Sequence, residues 1–561
     1  MRGVARPSVS VAESGGRAKG FSWYRRWAGI ATAGAAALLL APGLTQPASA
    51  GLLSTSPYIV ATPGAVGSIL AVTDVLSVGG QVVQTLPAAD AVEANLTSVE
   101  VPALSSLPGV VVTPDVPVSV QGLPSGSSHS PSDAFLQQTG AKSTWSQGDT
   151  GTGVNIAVLD TGIDPLPDFA GRLVGGVDLS GEGNPFRDSY GHGTFDAGLI
   201  AGNGASSSGT YEGEAPGAGL VSVKVAGATG TTDLATVIAG VGWTIDHRAA
   251  LGIRVLNMSL GYKPLSSTAV DPLDTAVESA WQSGIAVIVS AGNAGPFNGT
   301  ILSPGDDPLA ITVGALDDLA QPAVSHDVMA TFSSVGPTNP DGWFKPDLVT
   351  SGRSVVSLAA PGSTIYKAHP SAIIGTGNFV GSGTSLSTAV TSGAAALLLR
   401  AQPGLTPNQV KAALLAGTNR GPVGNPVVDG HGALNVYNSL NNAPLSLTQT
   451  PSALSVPMGA LVDVSTTWSV SSWDPANWSS TSWNGSQGGA GNPTWDGTAW
   501  DGTAWDGTAW DGTAWDGTAW DGTAWDGTAW DGTAWDGTAW DGTAWDGTAW
   551  DGTAWDGSAW D

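Results

Sequence analysis

The chain has 561 residues and a mass of 56.0 kDa, which exceeds one ordinary domain and predicts a sizeable core with appended segments. It contains no cysteine, which excludes disulfide scaffolds, thiolate zinc sites and cysteine nucleophiles. Its formal charge of −27, from 19 basic and 46 acidic residues, is a poor match to the phosphates of nucleic acids. We therefore expect no nucleic acid partner.

The first 50 residues have the layout of a secretory signal peptide. Six basic residues precede an apolar run at 28–41, and small residues ending in Ala48-Ser49-Ala50 follow it. We expect cleavage before Gly51 and therefore export. A membrane anchor is the alternative, but about 14 apolar residues fall short of the roughly 20 that span a bilayer, so we expect no stable span after cleavage. Arg25 and Arg26 fit a twin-arginine signal poorly, which favours general secretion.

A small α+β domain is predicted for residues 51–122. Short strands are indicated at 58–60, 81–83 and 110–112, where apolar and β-branched residues cluster. Between the first two of these, residues 65–77 carry apolar side chains at a loosely helical spacing.

Three later segments each put a reactive side chain beside glycine at the edge of a predicted element. In GVNIAVLDTGID (153–164), an apolar run typical of a buried parallel strand ends in Asp160. In YGHGTFDAGLIAG (190–202), glycines flank His192 and a helical pattern follows. In GSGTSLSTAVTSGAAALLL (381–399), Ser385 stands at the start of an apolar helix, where free amide N–H groups are available.

These three residue types are the ones that nucleophilic catalysis by serine requires. A serine hydroxyl is a weak nucleophile until histidine takes its proton, and a buried carboxylate fixes the histidine tautomer and stabilises the imidazolium. A tetrahedral oxyanion also needs donors that are already in place. The backbone N–H of Ser385 and the side-chain amide of Asn293, in VIVSAGNAG (287–295), are the candidates for this oxyanion hole.

In order, spacing and flanking residues, these segments resemble the subtilisin family of serine endopeptidases over roughly 135–440. Further agreement comes from VSVKV (221–225), VLNMSLG (255–261), FSSVGP (332–337), KPDLV (345–349) and Ala360-Pro361-Gly362. The resemblance implies a three-layer α/β peptidase domain at 123–440 with a mostly parallel central sheet. It also implies that Asp160 orients His192, that His192 is the general base and acid, and that Ser385 attacks the scissile carbonyl to form an acyl-enzyme.

The same resemblance implies where substrate binds and how the enzyme is controlled. A peptide would lie extended between Ala228-Thr229-Gly230 and Ser259-Leu260-Gly261, and Ser290-Ala291-Gly292 would line the first specificity pocket. The small residues there suggest a roomy pocket. Similar enzymes carry an inhibitory propeptide that assists folding, so residues 51–122 are interpreted as a propeptide, removed by self-processing before Phe135.

The sequence departs from the family pattern at two places near the predicted triad. Where relatives usually have His-Val after His-Gly-Thr, this chain has Phe195-Asp196, and Leu386–Val390 replace the usual Met-Ala-Thr-Pro-His. Asp196 is interpreted as a solvated acid at the start of a helix, and the alternative is that it raises the pKa of His192. Leu386 predicts resistance to peroxide, because methionine is oxidisable at this position and leucine is not.

The other candidate groups are predicted to have no part in the chemistry. Asp164 and Asp168 are predicted turn residues rather than loop ligands. No cofactor is expected for the chemistry, and the loop 204–211 lacks the carboxylates of a strong calcium site, although structural calcium elsewhere stays open. The remaining histidines are predicted to be structural or solvent exposed: His129, His247, His326, His369 and His431.

The end of the chain is repetitive. Residues 441–493 form a Ser/Asn/Gly/Trp-rich linker, and a Trp-Asp-Gly-Thr-Ala unit repeats every five residues through 494–561. A period of five matches neither helix nor strand, so a disordered chain or a turn-based spiral is predicted. The roles left open are none, self-association, or binding of polysaccharide that retains the enzyme at the cell envelope.

The leading hypothesis is a secreted serine endopeptidase that hydrolyses peptide bonds in proteins and is made as a self-processed zymogen. The competing hypothesis is a noncatalytic adhesion protein that uses the same fold to display the Trp-rich tail. The presence of Asp160, His192, Ser385 and Asn293 together favours the enzyme.

Overall fold

The structure, a computed structural model, describes residues 54–62, 64, 66–120, 122 and 133–441. The predicted signal peptide, the repeats at 494–561 and all but the first residue of the predicted linker lie outside the described residues. Within the described ranges, no helix is both long enough and apolar enough to cross a membrane.

The region before the predicted peptidase domain is a four-stranded antiparallel sheet with strand order β2-β3-β1-β4. The predicted strands and helix of this region are all found. Its elements are β1 (Thr55–Ala61), α1 (Gly67–Ser77), β2 (Gln81–Leu86), β3 (Ala91–Thr97), α2 (Glu100–Ser105) and β4 (Val111–Pro114).

This small sheet has its own core and also rests on the rest of the molecule. Val60, Val75 and Leu96 are buried between the sheet and its helices. From the other side, Leu86 and Ala88 join the main core of the protein. Apolar burial on both sides ties the two regions together, because each buried side chain contributes about 1–3 kcal/mol.

A second sheet of eight strands forms the centre of the larger region, in the order β14-β13-β12-β10-β6-β8-β7, with β15 beside β13. All of its pairings are parallel except that of β13 with β14. Its strands are β6 (Asn155–Asp160), β7 (Leu173–Asp178), β8 (Gly219–Lys224), β10 (Ile253–Met258), β12 (Ala286–Ser290), β13 (Ile311–Asp317), β14 (Val328–Met329) and β15 (Leu348–Ser351).

Helices cover this sheet in two pairs. The interior of a strand such as β6, at 156–159, is apolar because both of its faces are buried. α5 (His192–Ala201) packs with α9 (Thr384–Ala401), and α6 (Leu234–Leu251) packs with α7 (Pro272–Gln282). The smaller helices are α3 (Phe135–Gln138), α4 (Ala141–Ser146), α8 (Thr364–Ala368), α10 (Pro407–Ala416) and α11 (Val436–Asn441).

The carboxyl ends of the parallel strands meet at one edge of the sheet, where α/β proteins build their sites. Asp160 is the last residue of β6, and Ser290 is the last residue of β12. The short antiparallel strands β16 (Val355–Leu358), β17 (Ile373–Ile374) and β18 (Asn378–Gly381) lead the chain into α9.

A third, three-stranded sheet joins the two regions. Strand β5 (Pro117–Val120) lies between β9 (Thr231–Asp233) and β11 (Leu260–Gly261), antiparallel to both. The end of the predicted propeptide therefore supplies the middle strand of a sheet whose edges belong to the predicted peptidase domain.

Candidate active site

Asp160 and His192 are joined by a buried hydrogen bond. Asp160 ends β6 and His192 begins α5, so a strand end and a helix start present the two side chains to each other. The Nδ1 atom of His192 lies 2.9 Å from both carboxylate oxygens of Asp160. The backbone N–H of Thr161 also donates to Asp160 Oδ1, at 2.7 Å, so the carboxylate orientation is fixed from two sides.

Asp188 holds the residues around this pair in place through hydrogen bonds, a role that sequence reasoning missed. Its buried carboxylate accepts hydrogen bonds from the backbone N–H groups of Gly191 and Thr194, at 2.6 and 2.8 Å, on either side of His192. It also accepts one from the Thr161 hydroxyl at 2.8 Å. An acidic residue four positions before the histidine, just before a predicted helix, is the signal that could have indicated this role. Acidic side chains there commonly accept hydrogen bonds from the free N–H groups of the first helical turn.

Ser385 is the second residue of α9 and is buried. Its hydroxyl donates to the backbone carbonyl of Ser259 at 3.3 Å, and the Ser259 hydroxyl donates back to the Ser385 carbonyl at 3.3 Å. The next residue, Leu386, lines the same apolar pocket as His192. The nucleophile candidate, the base candidate and the residue before β11 are thus neighbours in the folded chain.

Asn293 is held beside Ser385 by Thr384, which sequence reasoning also missed. The side-chain oxygen of Asn293 accepts hydrogen bonds from the Thr384 backbone N–H at 2.9 Å and from its hydroxyl at 3.1 Å. Because its oxygen is used in this way, the other end of the amide, the NH₂ group, is the end left to point elsewhere. Thr384 therefore acts as an orienting residue for the candidate oxyanion donor.

Asp196 corrects one expectation from the sequence. It was interpreted as a solvated acid at a helix start, but its side chain is fully buried, with an exposure of 0%. The solvated interpretation is wrong because α5 is buried along its whole length between the sheet and neighbouring elements, so a residue one turn after His192 faces the interior. Neither of its carboxylate oxygens has a hydrogen-bond partner of ordinary geometry, but the Ser259 and Asn257 side chains lie close enough to lower its pKa.

The electrostatics of this corner follow from burial and from the three carboxylates. Burial lowers the pKa of His192, but Asp160 and then Asp196 raise it more, to a net value of about 9. Burial raises the pKa of Asp196 to about 7, although the charge on His192 opposes this. Burial likewise raises the pKa of Asp188. The imidazolium is therefore stabilised at neutral pH.

Strand β5 and Gly122 lie in the cleft in front of these residues. Within the extended strand β5, Val120 lies opposite Leu260 and Ser119 lies opposite Gly261, while the Val120 N–H donates to the Gly230 carbonyl at 3.1 Å. Gly122 is buried so close to His192 that an added Cβ atom would lie 3.1 Å from the His192 Nε2 atom.

The predicted substrate edges agree with this arrangement on one side only. Leu260 and Gly261 form the edge that pairs with strand β5, and Ser259 lies just before this pairing. On the other side the paired strand is β9, at 231–233, and Ala228 and Thr229 are exposed outside it, so only Gly230 of that predicted trio contacts the strand.

The predicted specificity pocket has a residue that the sequence did not reveal. A Cβ atom on Gly292 would lie 2.7 Å from Leu302 Cγ, and one on Gly261 would lie 3.1 Å from Leu302 Cβ. Leu302 therefore packs between the two glycines. The Leu302 N–H also donates to the Ala291 carbonyl at 3.1 Å, so Leu302 lies beside the residues predicted to line the pocket.

The remaining candidates are structural in the described residues. Asp164 accepts a hydrogen bond from the Asp188 backbone, and Asp168 accepts hydrogen bonds from Ser206, so both brace loops. His247 stacks on Trp243 with ring centroids 4.1 Å apart. His431 is partly buried, whereas His326 and His369 are exposed; His129 lies outside the described residues.

Among the described residues, one group of three side chains is close enough together to hold a metal ion. One ligand atom from each of Asp160, His192 and Asp196 lies within 4.8 Å of the others. The loop 204–211 instead forms a short helical turn whose Ser206 binds Asp168.

The chain is similar to known proteins in family, sequence and fold. Residues 151–432 match the model of the Subtilase family. The serine protease AprX of Bacillus subtilis (strain 168) is 45% identical over 296 residues, which are 52% of this chain and 67% of that protein. Subtilisin NAT of Bacillus subtilis subsp. natto is 36% identical over 305 residues, which are 54% of this chain and 69% of that protein.

A solved structure shows the same fold. The crystal structure of fervidolysin from Fervidobacterium pennivorans, a keratinolytic enzyme related to subtilisin, superposes with a TM-score of 0.55 at 23% identity. The match covers 72% of this chain and 63% of the fervidolysin chain, so the likeness spans less than two thirds of that protein. It supports a subtilisin-like α/β fold with a mixed, mostly parallel sheet.

Proposed function

Because the chain belongs to the Subtilase family and is a subtilisin-like serine endopeptidase, we propose that it is a secreted enzyme with Asp160, His192 and Ser385 as its triad. The observation that carries this assignment is the buried contact of 2.9 Å between His192 Nδ1 and Asp160. It leaves Nε2 as the nitrogen that takes a proton, which is the tautomer that the chemistry needs.

In the proposed mechanism the Ser385 hydroxyl attacks the scissile carbonyl while His192 Nε2 accepts its proton. The C–O bond to Ser385 forms, and the carbonyl oxygen becomes an oxyanion. The Asn293 side-chain amide and the Ser385 backbone N–H donate to that oxygen, and Thr384 holds the Asn293 amide in orientation. His192 then gives its proton to the leaving amine, which breaks the peptide bond and leaves an acyl-enzyme for water to hydrolyse.

We also propose that residues 51–122 are a propeptide that inhibits the enzyme. Strand β5 supports this, since it pairs with β11 as an extended substrate would. Val118 of that strand is fully buried, so it anchors the segment. Asp115 adds a second anchor, because its carboxylate accepts a hydrogen bond from the Ala235 N–H in the first turn of α6 at 3.0 Å.

The register of this strand indicates where self-processing would occur. Val120 lies opposite Leu260, and Gly122 lies against the His192 Nε2 atom. A leaving amine must lie beside that nitrogen to receive its proton. We therefore propose cleavage of the Gln121–Gly122 bond, which agrees with the expectation that processing occurs before Phe135.

Export, the linker at 441–493 and the role of the repeats at 494–561 rest on the sequence alone. Secretion through the signal peptide at 1–50 stays the prediction, as does binding of polysaccharide or self-association by the tail. The adhesion hypothesis is less well supported, because an adhesion protein has no need for a buried Asp–His pair beside an oriented asparagine.

Labelling with a fluorophosphonate tests the proposed nucleophile directly, because this reagent reacts with activated serine hydroxyls. We expect one label per self-processed molecule, on Ser385, with no label on Ser385→Ala or on His192→Ala. Thr388→Ala, which changes a hydroxyl residue on the same helix, is the matched control and should still be labelled. Folded wild-type protein that stays unlabelled, or a label on another serine, would contradict the assignment.

A further inference from the structure

Three groups of the candidate active site converge on one buried volume. Asp196 follows His192 by four residues on α5, so both side chains leave the same face of the helix. Asp160 faces them from the end of β6. One ligand atom from each lies within 4.8 Å of the others, and the exposures of Asp160, His192 and Asp196 are 0%, 4% and 0%.

This volume has more negative charge than its protein partners balance. By hydrogen-bond geometry neither oxygen of Asp196 has a partner, nor does Nε2 of His192, although the side chains of Ser259 and Asn257 lie close enough to lower the pKa of Asp196. Within the described part of the chain, the ion pair of Asp160 is with His192, and Asp196 has none. A buried carboxylate without a partner costs several kcal/mol unless it binds a proton or a cation.

We propose that Asp160, His192 and Asp196 form a site for a divalent transition-metal ion such as Zn²⁺, and that the bound ion inhibits the protease. One imidazole nitrogen and two carboxylate oxygens are donors that zinc accepts, with water as a fourth ligand. Bonds of about 2.0–2.2 Å set tetrahedral ligand atoms about 3.4 Å apart, so closure from the observed separations needs only small side-chain rotations. Calcium fits poorly, because it takes six to eight oxygens.

Inhibition follows from the roles proposed above, so this inference rests on the proposed function. A metal ion held by His192 and Asp160 replaces the hydrogen bond between them and uses an imidazole lone pair. His192 then cannot accept the proton of Ser385. It also loses the hydrogen bond to Asp160 that orients its ring. A chelator that removes the ion should restore activity.

Two measurements test the proposal, and only one of them depends on activity. Zn²⁺ is titrated into the self-processed enzyme, and Co²⁺ is titrated into full-length Ser385→Ala while visible absorption is recorded. Tetrahedral Co²⁺ with nitrogen and oxygen ligands absorbs far more strongly than the octahedral Co²⁺ expected on tail aspartates. We expect inhibition that EDTA reverses, together with one strongly absorbing Co²⁺ per molecule.

Asp196 variants decide the outcome. Asp196→Val and Asp196→Asn should each weaken both Zn²⁺ inhibition and the Co²⁺ band by at least about tenfold. Glu212→Gln, which removes one charge from the loop after α5, should change neither. Circular dichroism checks that each variant is folded. If Asp196→Val does not fold, Asp196→Asn alone provides the test.

Equal inhibition of wild type and Asp196→Asn by Zn²⁺, or an unchanged Co²⁺ band in Asp196→Asn, would overturn the proposal. Failure of the proposed function looks different, because the metal-free enzyme would then be inactive while the Co²⁺ band still depended on Asp196. A Co²⁺ band with no Zn²⁺ inhibition of active enzyme would leave a metal site but refute its inhibitory role.

Discussion

Removing the charge of Asp196 should move the acid limb of the pH–rate profile to lower pH. The acid limb of kcat/KM reports the protonation of the general base in the free enzyme. His192, the proposed base, has a pKa of about 9 because Asp160 and then Asp196 outweigh the effect of its burial. Loss of one negative charge destabilises the imidazolium, so the pKa of His192 falls and neutral, active histidine persists to lower pH.

The distances give the scale of this effect. The ligand atoms of Asp196 and His192 lie within 4.8 Å of each other. Two unit charges at that separation interact by about 3.5 kcal/mol at an effective dielectric constant of about 20. This energy corresponds to a shift of about 2.5 units in the pKa of His192. We expect the pKa of His192 to fall by about one to two units, and kcat/KM at pH 7 to rise by about 10- to 50-fold.

The assay is kcat/KM for a peptide anilide between pH 5 and pH 11, with a chelator present so that bound metal does not contribute. Asp196→Asn tests charge with little change of shape, and Asp196→Val tests the residue usual at this position. Glu212→Gln changes the net charge equally but is absent from the groups that act on His192. An acid limb that stays in place in both Asp196 variants, or moves to higher pH, would refute the reasoning.

Three further predictions concern specificity, stability and oxidation. Leu302→Ala should favour substrates with phenylalanine before the scissile bond over substrates with alanine there, raising the ratio of their kcat/KM values by about tenfold or more. An unchanged ratio would contradict the packing of Leu302 between the pocket glycines. Burial, and next Asp271, raise the pKa of Asp306 well above that of an ordinary carboxyl. The folded protein then binds a proton that the unfolded chain has lost, so stability falls as the pH rises above about 4. Asp306→Asn should therefore raise Tm at pH 9 by about 2–4 °C and change it little at pH 4, measured by calorimetry on Ser385→Ala. Leu386→Met should inactivate faster in mild peroxide than wild type, and equal rates would refute a role for this position.

The catalytic candidates could be predicted from sequence because each lies in a short local pattern. A buried strand ending in Asp160 and a helix starting at His192 are readable from apolar runs and glycines alone. The fold class followed from the resemblance of these segments to the subtilisin family, and the buried apolar strands agree with it, since parallel sheets need near-continuous apolar segments.

Residues that act through long-range packing could not be predicted in this way. Leu302 is far in sequence from Gly261, and only the folded chain brings them together. Asp196 was misjudged because a helix start is usually solvated, whereas α5 is buried on all sides. The position of strand β5 between β9 and β11 likewise depends on pairing between segments that are more than a hundred residues apart in sequence. Local sequence patterns do not encode such pairing.

The most direct test of the central claim is the intact mass of the full-length protein during its self-processing. Wild type and Ser385→Ala are produced in parallel, and the mass of each fragment is followed over time at several protein concentrations. We predict that wild type releases a fragment ending at Gln121 at a rate independent of concentration, while folded Ser385→Ala stays uncleaved. Release of the same fragment from Ser385→Ala, or folded wild type that remains whole, would contradict a triad built on Ser385.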